Sequence, residues 1–235
     1  MARSPGRPVR NPLSTDRIEE AALELIERDG LEGFSTRKLA TELGCEAMSI
    51  YHYYPSKAHL FDALFDRIIG GLPPDDPALS LRQRLEVAVL AYREMAHRYP
   101  RFFPFIALHR HNTRTGLAWL EGTLAIFRDA GLDDERAGRF FRVVSYYVVG
   151  GALDETSGYA NAQGAVDPVP DSEAGETYPL VTAVNRYFKP EAHEATFRLG
   201  LDALLDRVEE AAREAGRKPR PAKSAIKPRV PPSRS

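Results

Sequence analysis

Apolar residues recur at helical spacing along almost the whole chain, and no stretch alternates apolar and polar residues as a half-buried strand would. Near the start, for example, Ile18, Ala22, Leu25 and Ile26 fall on one face of a helix. Glycine and proline interrupt this periodicity at intervals that suit helices of ordinary length. The pattern predicts an all-α fold, and the lack of any run of about 18 apolar residues argues against a membrane span.

These interruptions divide the chain into helices and domains. Helices are predicted over residues 16–28, 35–42, 47–54, from Ser56 to just before Gly70, and over 80–99, 102–109, 115–130, 133–156, 178–188 and 191–215. The Gly- and Pro-rich stretch 70–74 predicts a domain boundary, and residues 158–176 are predicted to form a long loop. We therefore expect one domain over 13–72 and a second over 78–215.

Charge is strongly segregated along the sequence. Residues 1–12 carry Arg3, Arg7 and Arg10 and no acid, and residues 217–235 carry seven bases and no acid. Removing these ten positive charges from the net charge of −1 leaves about −11 on residues 13–216. We expect a flexible basic arm over 1–12 and a disordered basic tail over 216–235. Both can contact nucleic acid, and both can equally be solubility tails.

The cellular compartment is predicted from the single cysteine and from the polar character of the first residues. The single cysteine, Cys45, has no partner for an internal disulfide, which fits a reducing compartment. The first residues are polar and lack the apolar core of a secretory signal. These features predict a cytoplasmic protein.

Two short predicted helices, residues 35–42 and 47–54, are separated by Gly44. A helix-turn-helix unit needs this arrangement, because its first helix braces against the DNA backbone while its second enters the major groove. The inward positions that would hold the pair together are Leu39, Ala40, Leu43 and Ile50. The outer face of the second helix would carry Ala47, Met48, Ser49, Tyr51, His52 and Tyr53. This face suits contacts with thymine methyls, sugars and phosphates, although plain helix packing would produce a similar pattern.

The segments LEGFSTRKLA at 31–40, LGC at 43–45 and IYHYYPSK at 50–57 resemble the N-terminal domain of TetR-family repressors. The resemblance extends over residues 15–70 without a gap and implies roles for individual residues. It implies that Thr36, Tyr51 and Lys57 contact phosphates and that Arg37 reaches a guanine edge. It further implies that Ala47, Met48 and Ser49 face base edges and that Tyr53 lies near the DNA backbone.

The net charge of this domain runs against a simple electrostatic account of DNA binding. Residues 13–70 hold six bases and eleven acids, although neutralising phosphates usually dominates affinity. Many of the acids fall on the first helix, at Asp16, Glu19, Glu20, Glu24 and Glu27, where they can face away from DNA. The positive charge that faces DNA must therefore be confined to a small part of the domain. We expect the basic arm to add positive charge from the minor groove.

The C-terminal half resembles the tetracycline-repressor branch of the same family, through WLEGTLAIFRDAGL and YYVVGGALDE within residues 117–154. That resemblance implies a homodimer built from a four-helix bundle. Two segments suit this role, the all-round apolar stretch Phe140–Leu153 and the helix with Phe197, Leu201, Leu204, Leu205 and Val208. Burial within one subunit remains the alternative for the first of them. A two-fold dimer would match a palindromic operator.

A pocket for a small-molecule effector is expected between the helices of the second domain. The aromatic and polar candidates are Tyr92, Phe103, Phe105, His109, Trp119, Phe127, Tyr146, Tyr147 and Asp154. Each of them can instead be an ordinary core residue.

A metal-chelated effector of the kind that tetracycline repressors bind is not expected. Counting back from Leu120, the histidine of that branch falls on or near Ala107, and Asp154 stands where a glutamate is expected. His109 and His111 would also diverge on a helix. We therefore predict no metal, no magnesium chelate and no cofactor other than an effector of unknown identity.

Two further function classes remain as alternatives to a transcriptional regulator. An enzyme would need a nucleophile–base pair, a metal cluster or a phosphate-binding loop, and none has a recognisable spacing here. An architectural DNA-binding protein would not need the large aromatic-rich second domain. The sequence favours a regulator, a repressor released from operator DNA by a small molecule, with no membrane partner.

Overall fold

A computed structural model describes residues 12–157 and 164–217. The basic tail from residue 218 onward and Arg3, Arg7 and Arg10 of the predicted arm lie outside the described residues. All regular secondary structure in the two described ranges is helical, which confirms the all-α prediction.

Eleven α-helices follow one another along the described chain. They are α1 Thr15–Gly33, α2 Thr36–Leu43, α3 Ala47–Tyr53, α4 Lys57–Gly70, α5 Leu81–Arg98, α6 Phe103–Leu108, α7 Arg114–Asp129, α8 Asp134–Ser157, α9 Asp171–Thr177, α10 Pro179–Val184 and α11 His193–Arg217. Two 3-10 turns, Asn185–Phe188 and Pro190–Ala192, connect α10 to α11.

Side-chain caps and glycine fix the helix boundaries near the binding elements. The hydroxyls of Ser14, Ser35 and Ser56 accept backbone N–H groups at the starts of α1, α2 and α4, which satisfies donors that a helix leaves free. Gly44 ends α2 in the left-handed region with φ of 65° and ψ of 35°. Inside α1, Gly30 has a φ of 79° and ψ of 169°, so the regular helix breaks there before a last turn.

The first four helices and the later helices share one continuous apolar core. Ile18, Leu39, Ile50 and Leu64 are buried where α1 to α4 meet. Phe61 of α4 then joins this group to the later helices through edge-on ring contacts with Phe34, Phe102 and Phe105. Helix α4 therefore lies in contact with both parts of the molecule.

Two observations modify the expected arrangement of the second domain. Residues 171–176, predicted as loop, belong to the short helix α9, which begins directly after Pro170. Proline fixes the backbone at a helix entrance, so a Pro-rich stretch here starts a helix where we expected only a connection. Helix α8 buries Val144 and Val148 against the core, whereas Tyr146 on another face of α8 is 65% exposed. None of the described helices is long and apolar enough to cross a membrane.

Candidate functional site

The α2–α3 pair is a small rigid unit held from inside by apolar side chains. Leu39 and Ala40 of α2 and Ile50 of α3 are buried against the core. The Gly44 turn, with Cys45 N donating to the Ala40 carbonyl at 3.0 Å, sets the angle between the helices. The predicted inner residues thus hold the pair, with Leu43 only partly buried.

The outer face of α3 carries large side chains that the protein leaves exposed. Met48 is 63% exposed, Tyr51 40% and Tyr53 42%, and His52 is also exposed. Ala47 and Ser49 are partly exposed beside them. A helix face of this kind is more apolar and aromatic than an ordinary solvated face, and it projects away from the core where a DNA groove could receive it.

The cations around this face differ in whether they have a partner. Lys38 Nζ lies 3.2 Å from Asp29 Oδ2 and donates to the Gly33 carbonyl at 2.8 Å. Arg28 pairs with both Asp29 and Glu42. Arg37 is exposed on α2 and has no ion-pair partner among residues 12–157 and 164–217. Of the cations on and around α2, Arg37 is therefore the one left available to another molecule.

Lys57 and Tyr53 already have contacts within the chain. The Lys57 ammonium lies over the rings of Phe34 and Phe61, 5.2 and 4.9 Å from their centroids, and 3.5 Å from the Leu31 carbonyl. The Tyr53 hydroxyl donates to the Leu13 carbonyl at 2.7 Å. Tyr53 therefore anchors the segment that enters α1, which directly follows residues 1–12 in the sequence. Thr36, predicted to contact phosphate, is partly exposed in the first turn of α2.

Three acids in the first two turns of α1 are directed toward α4. Arg67 of α4 forms ion pairs with Asp16, Glu19 and Glu20 at 3.0, 3.1 and 2.9 Å. The Tyr54 hydroxyl donates to Glu19 at 2.6 Å, and burial, with this hydrogen bond, raises the pKa of Tyr54. Three acids of α1 are thus held on the α1–α4 side, where the one positive charge of Arg67 offsets them in part and where they lie apart from the face of α3.

Helices α5 to α8 enclose a cavity of about 280 Å³. Of the residues predicted to line an effector pocket, four are in its wall: Tyr92, His109, Trp119 and Phe127. Tyr92 and Trp119 form a tilted pair with ring centroids 5.6 Å apart. The wall is mostly aromatic and aliphatic with a few polar groups, which is typical of small-molecule sites.

The remaining candidates lie outside this wall. Phe103 is fully buried behind Tyr92, with ring centroids 5.8 Å apart. Phe105 stacks between Phe102 and His109 as part of the core. The Tyr147 hydroxyl donates to the Phe197 carbonyl of α11 at 2.7 Å. Tyr146 and Asp154 are exposed elsewhere on α8. The spacing along a helix cannot distinguish such positions, because the cavity is defined by four helices together.

His109 and His111 do not diverge, contrary to the expectation from helical spacing. Helix α6 ends at Leu108, so the two histidines lie in the connection to α7 and both line the cavity. Burial lowers the pKa of His111, and a hydrogen bond to the Ile106 carbonyl partly opposes this shift. The buried Nε2 of His109 makes no hydrogen bond within the described residues. Asp62 Oδ1 of α4 lies 3.5 Å from it, at the outer limit for such a bond.

Sequence reasoning missed several polar groups of the cavity. Thr123 of α7 and Arg142 and Ser145 of α8 belong to its wall. Arg142 and Ser145 are spaced i, i+3 within a segment that we treated as apolar on nearly every face, so their shared helix face was the available signal. Across residues 12–157 and 164–217 no group of three or more His, Cys, Asp or Glu side chains is placed to hold a metal ion.

Comparison with known proteins agrees with this architecture. Residues 18–64 match a family model described as bacterial regulatory proteins of the tetR family. Residues 73–212 match a model described as a tetracyclin repressor-like C-terminal domain.

Individual relatives are similar over most of their length. The HTH-type transcriptional repressor DrrR1 of Streptomyces coeruleorubidus is 29% identical over 88% of this chain and 81% of its own. The tetracycline repressor protein class A from transposon 1721 of Escherichia coli is 29% identical over 83% of this chain and 89% of its own. The crystal structure of the Streptomyces coelicolor TetR family protein ActR in complex with (S)-DNPA has the same fold. It has a TM-score of 0.64 at 24% identity and covers 86% of this chain and 100% of that one. This chain therefore belongs to the TetR family of DNA-binding transcriptional regulators, with a C-terminal domain of the tetracycline-repressor type.

Proposed function

We propose that this regulator is a repressor that reads operator DNA with α2 and α3 and is released when a small molecule occupies the α5–α8 cavity. The observation that carries the DNA-binding part is the exposed face of α3 beside the unpaired Arg37. Arginine presents a fork of donors that matches guanine O6 and N7, so Arg37 reads a base edge. Ala47, Met48 and Ser49 face neighbouring bases.

Phosphate contacts complete the DNA-binding surface. Thr36 and Tyr51 donate to phosphates from α2 and α3, and Lys57 approaches a phosphate from the start of α4. Tyr53 lies near the DNA backbone and holds the segment through which residues 1–12 continue. Arg3, Arg7 and Arg10 of that arm enter the minor groove. The protein acts on this operator in the cytoplasm.

The effector binds in the cavity through an aromatic or aliphatic body and one polar group. Tyr92, Trp119 and Phe127 provide apolar contacts, and the Nε2 atom of His109 provides the hydrogen bond. A buried polar atom without a partner costs about 1–3 kcal/mol, so a ligand that satisfies it gains specificity. No metal ion is required for this mode of binding.

Helix α4 couples the two sites. His109 contacts α4 twice, through Asp62 at 3.5 Å and through the ring of Phe65 at 4.8 Å between centroids. A ligand that engages His109 changes these contacts and shifts α4, at whose first residue Lys57 lies. The ligand shifts DNA binding only by its differential affinity for the two arrangements, typically about 1–3 kcal/mol.

The regulator acts as a homodimer on a palindromic operator. Val143 and Tyr146 of α8 and Leu199 of α11 are 43, 65 and 74% exposed, an apolar face on the two helices that the family resemblance assigns to the dimer. Two recognition helices related by a two-fold axis then meet half-sites about one helical turn or a multiple apart.

Selection of bound fragments from random-sequence DNA, followed by gel-shift titration, tests this proposal. We expect an inverted repeat to be enriched and bound by two chains. Enrichment of no sequence would favour the architectural alternative, and turnover of a compound held in the cavity would favour an enzyme. Removal of residues 1–12 should lower affinity for the selected operator and flatten its salt dependence. Unchanged affinity and salt slope would exclude a role for the arm.

A further inference from the structure

A second hollow adjoins the effector cavity on the side of α4. It has a volume of about 320 Å³ and lies between the end of α4, the connection over residues 70–79, α5 and α7. The two hollows share three wall residues, Ala88 of α5 and Trp119 and Thr123 of α7. They are therefore neighbouring compartments separated at these side chains.

The largest shared side chain is the indole of Trp119. Trp119 is partly buried, and its ring contacts are with Tyr92 and His111, 5.6 and 5.7 Å between centroids, both on the side of the first cavity. The other two shared side chains are small. Trp119 is therefore the main side chain at the boundary between the two compartments.

The two compartments differ in how they meet α4. No residue of α4 is in the wall of the first cavity, whereas Ile69 and Gly70, at the end of α4, are in the wall of the second hollow. Each compartment is close to the lower limit of about 300 Å³ for ligand pockets, and both together suit a drug-sized molecule.

We propose that the effector is an elongated two-part molecule, with one ring system in the first cavity and a second apolar ring in the hollow beside Ile69 and Gly70. This proposal rests on the proposed function of the first cavity and extends it. The part in the first cavity is held by its aromatic wall and His109. The second ring passes Trp119 and contacts α4 directly, which links the length of the effector to its action on the DNA-binding helices.

Two positions allow each compartment to be filled separately. Gly122 of α7 lines only the second hollow, and a Cβ atom added there meets no atom within 4 Å. A Gly122→Leu side chain is therefore expected to fill the hollow without a clash in the helix. Ala107 of α6 lines only the first cavity, so Ala107→Leu crowds that compartment instead. Gly138 of α8 lines neither and also has open space, which makes Gly138→Leu the matched control.

The test compares two probes in the full-length protein, 1-naphthylamine and N-phenyl-1-naphthylamine, which differ by one phenyl ring. Trp119 is the single tryptophan of the chain, so its emission reports binding at the boundary of the two compartments. The wild-type protein should bind the phenyl-bearing probe roughly tenfold more tightly or better, because burial of a ring of this size is favourable. Gly122→Leu should remove this advantage and leave the binding of 1-naphthylamine unchanged. Gly138→Leu should retain both affinities.

The outcomes distinguish a failure of the two-part effector from a failure of the first cavity as a ligand site. If Ala107→Leu weakens both probes but Gly122→Leu weakens neither, the first cavity binds ligands and the two-part effector is wrong. If Ala107→Leu weakens neither probe, the proposed function of the first cavity fails as well. If the wild-type protein binds the phenyl-bearing probe no better than 1-naphthylamine, the two-part effector is also wrong. Circular dichroism of each variant confirms that the helices are intact.

Discussion

The DNA-facing helix pair presents a cation without an ion pair, and the effector cavity presents a nitrogen without a hydrogen bond, but the two groups lie in opposite surroundings. Arg37 is exposed on α2, where water hydrates its charge at no cost to folding. His109 Nε2 is buried at the cavity, where an unmet hydrogen bond costs about 1–3 kcal/mol. An exposed cation without an ion-pair partner is available to another molecule, whereas a buried nitrogen without a hydrogen bond is a candidate contact for a ligand in the cavity.

The two regions also differ in how they are built. The helix pair is assembled from residues close together in sequence, and its function lies on a convex face. The cavity is assembled from α5 to α8, and its function lies on concave surfaces that no single helix defines. Substitutions in the first region should therefore act on DNA affinity without a ligand, and substitutions in the second should act through the ligand and stability.

The largest effect is expected at Arg37. Arg37→Ala should reduce the preference for the selected operator over random DNA by roughly 5- to 150-fold, because a bidentate guanine contact provides about 1–3 kcal/mol of discrimination. Competition gel shifts measure this ratio. Lys38→Ala is the matched control, since Lys38 is already paired with Asp29 and should leave the ratio nearly unchanged. Full preference in Arg37→Ala would show that Arg37 is not a base reader.

Lys57→Ala should weaken binding to all DNA sequences by a similar factor, roughly tenfold at moderate salt. A phosphate contact carries no sequence information, and its loss should reduce the slope of log affinity against log salt by about 0.9. Titrations at several salt concentrations measure the slope. A change in sequence preference with an unchanged slope would contradict the phosphate assignment.

His109→Leu should stabilise the ligand-free protein by about 1 kcal/mol, because the buried Nε2 makes no hydrogen bond and the half-exposed Asp62 carboxylate, 3.5 Å away, is too distant to offset its burial. This corresponds to a rise in Tm of roughly 2–4 °C for a chain of this size. His111→Leu should bring no such gain, since His111 has no buried nitrogen without a hydrogen bond and its ring packs against Phe65 and Trp119. Thermal unfolding compares the two variants, and equal destabilisation would remove the distinction between them.

The smallest effect is expected at Glu27, whose carboxylate accepts the Arg101 and Phe102 N–H groups at 3.1 and 2.9 Å. Burial raises the pKa of Glu27, and these hydrogen bonds only partly oppose it. Because the folded-state pKa is the higher one, the stabilisation is complete below the unfolded-state pKa and is lost as pH rises through the folded value. The free energy of unfolding of the wild type, relative to that of Glu27→Gln, should therefore rise as pH falls from 7 toward 4, by less than about 1 kcal/mol. Urea unfolding across this range checks the sign, and a gain in the opposite direction would contradict it.

The helix pair was largely predictable from sequence because its determinants are local. Ser35, Gly44 and Ser56 mark helix ends through caps and turn geometry that depend on near neighbours, and Leu39 and Ile50 follow helical spacing. The partners of the cations were not predictable, since Arg67 meets Asp16, Glu19 and Glu20 only through the packing of α4 on α1.

The cavity was predictable only in part. Residue type correctly suggested Tyr92, Trp119 and Phe127 as wall residues. It also suggested Phe103, which is fully buried in the core and does not line the cavity. Helical spacing does not predict that His111 lines the cavity, because α6 ends at Leu108 and the chain leaves the helix before His111. Which face of a helix meets a cavity depends on crossing angles between helices, and these are not encoded in the spacing along any one of them.

In the proposed mechanism, occupation of the cavity and binding to DNA are coupled through α4. A single titration of the protein–operator complex with N-phenyl-1-naphthylamine tests it, with the anisotropy of a labelled operator and the emission of Trp119 followed together. DNA should be released over the same probe concentrations at which Trp119 emission changes. Saturation of the Trp119 signal while the operator stays fully bound would contradict it.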